Sequence, residues 1–122
     1  MTKKMFSLVL PYPPSVNTYW GFKGSQRFLT SKAKEFKAET LQRFQKSGLQ
    51  GFGDARLHVA VYLHAPDRRI RDIDNIAKPL LDALTQCKVF EDDGQVDQLL
   101  IVRREVIKGG ACQVVIVPAN PS

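Results

Sequence analysis

The chain is poor in soft metal ligands, with two cysteines and two histidines in 122 residues. Neither pair has ligand spacing. Cys87 and Cys112 stand without a Cys-x-x-Cys or Cys/His pattern, which argues against a zinc centre or a disulfide framework and predicts two free thiols. His58 and His64 lie six residues apart on one expected strand, too far for both to grip a single ion from that strand. Long apolar runs are missing too: none approaches the roughly 20 residues that span a bilayer. The apolar stretch before Pro11 is too short for a signal peptide. The expectation is a soluble, cytoplasmic protein with no membrane partner. Acidic residues are scarce as well, 12 against 18 Lys and Arg for a net charge of +6, and that balance favours an anionic partner such as DNA or RNA. No internal repeat or interdomain linker is visible. The length and 43% hydrophobic content fit one domain over residues 1–122.

Few as they are, the carboxylates are not scattered. Asp67, Asp72, Asp74, Asp82, Glu91, Asp92, Asp93 and Asp97, eight of the twelve acidic residues, fall in one window between Pro66 and Gln98. Clustered carboxylates give a basic chain no electrostatic advantage on a polyanion, unless a cation lies between them and phosphate. The pattern therefore points to a metal-dependent enzyme acting on a nucleic-acid backbone.

The hydrophobic pattern predicts the order β-α-β-α-β-β, a small α/β (α+β) domain with a mixed β-sheet and two helices. Phe6, Leu8 and Leu10 alternate as a first strand stopped by Pro11, Pro13 and Pro14. Residues 15–29 read as a long loop or irregular hairpin. A helix follows, capped by Thr30 or Ser31 and ended by Gly48, with Ala33, Phe36, Thr40 or Leu41, and Phe44 as its apolar stripe. Leu57 to His64 alternates as a strand. A second helix carries Leu80 and Leu84 and runs to about Cys87; Pro79 must lie in its first turn, leaving 74–78 as an approach turn. Leu99 to Val106 and Ala111 to Val117 read as a closing hairpin through Lys108-Gly109-Gly110.

Asp72 and Asp74, two residues apart, would share a side in extended backbone and could share one ion. Mg²⁺ prefers oxygen ligands and keeps several waters, so one or two aspartates with phosphate oxygens suffice. Asp92 or Asp93 could add a third carboxylate if the chain doubles back after the second helix. Lys78 could stabilise charge developing on phosphate, with Asp82 one turn away as its pairing partner. The competing interpretation makes Asp-x-Asp-Asn a capping turn and Glu91-Asp92-Asp93-Gly94 a solvated loop. Arg68, Arg69 and Arg71 would place cationic forks on the flanking phosphates. Tyr19, Trp20 and Phe22 with Lys23 and Arg27 could meet unpaired bases, or equally a core or dimer contact.

The string Asp67-Arg-Arg-Ile-Arg-Asp-Ile-Asp-Asn-Ile-Ala-Lys78, with Leu81-Asp-Ala-Leu-Thr85, Asp92-Asp-Gly-Gln-Val96 and Pro13-Pro-Ser-Val-Asn17, resembles the RusA family of Holliday junction resolvases across nearly the whole chain. The resemblance implies a homodimer that uses Mg²⁺, with Mn²⁺ as a substitute, to resolve four-way DNA junctions by paired symmetric nicks in recombination and repair. By motif position, Asp72, Asp74 and Asp93 would be the catalytic, metal-binding carboxylates and Lys78 the catalytic lysine, with Asp92 the adjacent competitor. Arg68, Arg69, Arg71, Lys23 and Arg27 would contact DNA, although Tyr19-Trp20-Gly21 departs from the basic residues often found at that place. Two alternatives remain, a junction-binding or DNA-architectural protein without catalysis, and a nuclease of RNA or flaps.

Overall fold

The computed structural model describes residues 5–119. Its strands are β1 (Phe6–Leu10), β2 (Trp20–Lys23), β3 (Gln26–Leu29), β4 (Leu57–His64), β5 (Val96–Arg103) and β6 (Ala111–Pro118). Its helices are α1 (Val16–Tyr19), α2 (Ser31–Ser47) and α3 (Ala77–Gln86). Four strands form a mixed sheet in the order β1-β6-β4-β5, and β2 and β3 form a separate hairpin. The expected order therefore holds, with a one-turn helix and a hairpin added inside the segment read as a loop or irregular hairpin.

Local chemistry explains why α2 starts and stops where it does. Thr30 is extended, and its Oγ1 accepts a hydrogen bond from Ala33 N at 3.3 Å, satisfying one of the free amides of the first turn. Gly48 takes the left-handed φ of 70° that a side chain would resist and ends the helix. The stripe passes through Thr40 rather than Leu41: Thr40 is fully buried with its hydroxyl donating to Phe36 O at 2.7 Å, while Leu41 stays exposed. In α3, Pro79 is the third helical residue, where its missing amide costs no intrahelical bond.

Strict alternation gives the sheet one apolar face. Leu57, Val59, Val61 and Leu63 of β4 point into a core shared with Phe6, Leu8 and Leu10 of β1 and with Leu80 and Leu84 of α3. Cys112 and Val114 of β6 join them, and Cys87 is buried beside α2 with its thiol 3.5 Å from Lys37 O. Burial pushes the Cys112 thiol up to about 12 and raises that of Cys87. A thiol reagent such as DTNB at mild alkaline pH should therefore leave both cysteines of the native protein unmodified over minutes and titrate both once urea is added. Rapid native modification of either would contradict the packing.

Among the described residues, no helix covers the other face of the sheet. Paired register puts Ser7, Val115, Ala60 and Leu100 in one row across it, and Val9, Gln113, Tyr62 and Val102 in the next. Leu100 is 50% exposed and Val9 51%.

One expectation fails in its detail. β5 begins at Val96 rather than Leu99, ends at Arg103, and does not pair with β6; it lies parallel to β4, whose other edge holds β6 antiparallel. The Gly109-Gly110 turn forms with both residues at positive φ, but it returns the chain across β4 instead of closing a hairpin. The acidic window is thus the crossover between two parallel strands, and α3 is its helix.

Candidate active site

The crossover leaves β4 at His64 and enters an arginine-rich loop pinned by one carboxylate. Asp67 Oδ1 accepts from Arg69 N at 3.0 Å and from Arg71 Nη1 at 2.6 Å, while Oδ2 accepts from both guanidinium groups. Arg71 foremost, then Arg69, holds the Asp67 carboxyl well below the usual range. Arg103 of β5 donates to Arg71 O, tying the loop to the sheet. Of the three loop arginines named as phosphate contacts, Arg68 and Arg69 are exposed, whereas Arg71 is half-buried with its fork committed to Asp67 and its guanidinium 5.8 Å from the Tyr12 ring.

From this clamp the chain passes into a single 3₁₀ turn, Ile73–Ile76, and then into α3. Asp72 is the residue before that turn, and Asp74 lies within it. The two are not in one extended stretch, so the shared side expected from strand geometry is replaced by a turn. Asp72 has the capping position but makes no side-chain capping bond, which removes the capping interpretation for it. Both carboxylates are exposed. Neither has a side-chain partner among the described residues, in contrast to every other aspartate of the window. Asp67 is held by Arg71, Asp82 by Tyr19, Asp92 by a capping box, Asp93 by Lys78 and Asp97 by Arg56.

After α3 the chain does double back. A second 3₁₀ turn, Asp93–Gln95, brings Asp93 Oδ2 to 2.7 Å from Lys78 Nζ, bridging the first turn of α3 to the segment before β5. The ammonium of Lys78 holds the Asp93 carboxyl below its ordinary value. The neighbouring Asp92 is spent otherwise: its side chain accepts from Gln95 N while Gln95 Oε1 accepts from Asp92 N at 2.7 Å. Gln95, itself buried, donates to Gly53 O and Ala55 O and so welds this turn to the loop before β4. Of the two candidates for a third carboxylate, Asp93 faces α3 and Asp92 serves the turn.

Asp82 does not pair with Lys78 as expected from helix spacing. Its Oδ2 accepts the hydroxyl of Tyr19 at 2.7 Å. Tyr19 is fully buried, and burial together with Asp82 raises its phenol above the ordinary value. This link was invisible to spacing rules because its ends are 63 residues apart.

Among the described residues, no three His, Cys, Asp or Glu side chains are grouped closely enough to enclose a metal ion. The donor set nevertheless suits a hard cation held partly by its substrate: two uncommitted carboxylates, Asp72 and Asp74, all-oxygen chemistry, and a third carboxylate, Asp93, beside a lysine. A cleft of about 870 Å³ opens beside Asp72, bordered by Tyr12 and Pro14, by Lys32 and Glu35 of α2, and by Asp72 and Asn75. Asp74, Lys78 and Asp93 lie outside its lining.

Comparison with known proteins adds an independent line. The family model described as Endodeoxyribonuclease RusA matches residues 11–116. A crossover junction endodeoxyribonuclease of Enterobacteria phage HK97 is 40% identical over 105 residues, covering 86% of this chain and 88% of that one. The protein of the same name from Escherichia coli K12 is 32% identical over 112 residues, covering 91% and 92%. The one from Enterobacteria phage 82 is 31% identical over the same length.

Proposed function

Because the chain belongs to the RusA family of endodeoxyribonucleases, we propose that it is a Mg²⁺-dependent nuclease that resolves four-way DNA junctions by paired symmetric nicks, in recombination and repair. Its substrate is DNA in the cytoplasm. No described helix is long and apolar enough to cross a membrane. The observation that carries the reading is the pair of exposed, unpartnered carboxylates Asp72 and Asp74 at the entrance to α3, beside the Lys78 and Asp93 pair. Capping and fold stability do not account for them.

In this reading Asp72, Asp74 and Asp93 hold the ion, Mg²⁺ or its substitute Mn²⁺. When bound, the ion would supply a water of lowered pKa and neutralise charge on the phosphate. Lys78, fixed 2.7 Å from Asp93, presents a cation to the phosphate or to the departing 3′ oxygen, a role that requires preorganisation rather than movement. Arg68, Arg69 and Arg71, with Lys23 and Arg27 of the β2–β3 hairpin, engage flanking phosphates. The clamp on Asp67 keeps Arg69 and Arg71 in one orientation. Arg71 therefore also holds the loop.

The working unit is a homodimer. A four-way junction offers two equivalent strands, and a two-fold dimer offers two equivalent sites. The sheet face that no described helix covers, with Val115, Ala60 and Leu100 in one row across it, is the surface that receives the second copy in this reading.

The deciding experiment is cleavage of a synthetic mobile four-way junction by the purified protein, with Mg²⁺ and with EDTA. Paired nicks at symmetric positions, absent in EDTA, are expected. Tight binding without nicks in either Mg²⁺ or Mn²⁺ would favour a non-catalytic junction-binding protein instead, and preferential cutting of flaps or RNA would move the substrate.

A further inference from the structure

The β2–β3 hairpin stands apart from the main sheet and carries side chains that the core does not use. Its register sets two faces. Trp20 pairs with Leu29 and Phe22 with Arg27 on one face, and Gly21 with Phe28 and Lys23 with Gln26 on the other. On the first face the Arg27 guanidinium lies 4.9 Å from the centre of the Trp20 ring, and Phe22 beyond it is 70% exposed. On the second, the tip of the Phe28 ring lies over Gly21, so close that a Cβ there would stand 2.5 Å from it. An aromatic ring this open costs solubility without stabilising the fold, so its position calls for an occupant.

Charge identifies the occupant. No Asp or Glu occurs from Met1 to Lys34, while Lys23, Arg27, Lys32 and Lys34 fall on or just after the hairpin. A protein partner would need matched carboxylates, whereas a nucleotide brings a flat π-face and a phosphate together. Bases in duplex DNA are already stacked. Unpaired bases are free to accept a ring, and the branch point of a four-way substrate, where pairs lose a stacking neighbour and open most easily, is where they arise.

The hairpin is also held firmly. Tyr19, the residue before β2, is buried and bonded to Asp82 on α3, while Thr30, just after β3, donates from N to Tyr19 O at 3.1 Å and from Oγ1 to Thr18 O at 2.5 Å. Both ends of the hairpin are thereby fixed, one of them to the helix that bears Lys78.

We infer that the β2–β3 hairpin is a binding site for unpaired nucleobases, with Phe22 as the stacking platform, Arg27 and Lys23 on the adjoining phosphates, and Asp82 as the positioning residue that sets the hairpin against α3. The inference deepens the junction reading and rests on it for the source of the bases. Its test does not depend on catalysis. The single tryptophan of the chain, Trp20, lies on the stacking face and reports binding by fluorescence.

The wild-type protein is titrated in EDTA with a thymidine oligonucleotide and with an abasic oligonucleotide of equal length. The base-bearing strand is expected to bind about tenfold tighter and to quench Trp20. Phe22→Ala should bind the two strands equally, with the same salt slope as wild type, since its phosphate contacts remain. Phe22→Tyr should keep the preference. Equal binding of both strands by wild type overturns the inference, as does an undiminished preference in Phe22→Ala. So does a Phe22→Ala protein that loses a dimer partner by light scattering while still preferring bases, which would make Phe22 a contact between copies. Failure of junction cleavage alongside an intact Phe22-dependent preference would remove the nuclease reading and leave the hairpin site standing.

Discussion

Asp93→Asn protein should bind a four-way junction at least as tightly as wild type and cut it about a thousandfold more slowly, the scale of losing a charge that acts at the reacting phosphate. Asparagine preserves the size of the side chain and can still meet Lys78. It removes the negative charge that a hard cation needs, and with it a charge that repels the DNA backbone. The fold should be unaffected, because the Lys78 and Asp93 pair is partly exposed and such pairs contribute about 0–1 kcal/mol. Asp72→Asn and Asp74→Asn should behave alike.

The informative control is Asp92→Asn, one residue away. Asp92 serves as the acceptor of a capping box, and asparagine caps as well as aspartate, so cleavage by this variant should stay within about threefold of wild type. Single-turnover cleavage rates in Mg²⁺ and equilibrium binding in EDTA would measure both halves of the claim. If Asp92→Asn were the inactive protein and Asp93→Asn the active one, the assignment of the third carboxylate would be reversed.

In the proposed dimer, Ala60→Arg should separate the two copies and leave a monomer. Ala60 sits in the middle strand pair of the uncovered sheet face, between Val115 on β6 and Leu100 on β5. In one copy the new side chain can reach water across an open surface, so the melting temperature should change little. Between two copies it would bury an unpaired charge at the centre of an apolar contact, which costs several kcal/mol. Light scattering should show the mass halved. Junction affinity should fall by more than about tenfold as the second binding surface is lost, and any remaining cuts should be single nicks. A variant that keeps a dimer's mass would relocate the interface away from this face.

Which parts of the molecule were legible in the sequence follows from the range of the interactions that decide them. Thr30 and Gly48 act within one helical turn, and both ends of α2 were readable. The β4 alternation needs only its own residues and was equally clear. β5 was misplaced because Asp97 and Gln98 break its alternation. Its true start is set by the parallel pairing of Leu57 with Val96 and His58 with Gln98, which no local signal carries. The turn at Gly109-Gly110 was real, but a turn does not say which strand it leads back to.

The candidate site divides in the same way. Asp72, Asp74 and Lys78 are neighbours in sequence and were legible as a group. The contact from Lys78 to Asp93 spans 15 residues and needed the loop after α3 to return; only motif resemblance selected Asp93 over Asp92. The partnership of Asp82 with Tyr19 crosses half the chain, and the helix-spacing rule assigned the wrong partner.

The strand order β1-β6-β4-β5 also has a bearing on how the chain folds. β1 is the first described strand, yet among the described strands its one partner is β6, the last of them, and β6 also closes one flank of β4. Long-range pairings of this kind form slowly and only after the intervening chain exists. Until β6 pairs, the first described strand has no place in the sheet that carries the acidic crossover. The sheet is completed only when residues 111–118 pair on both sides, so folding of the scaffold that holds the acidic crossover is governed by contacts of large sequence separation.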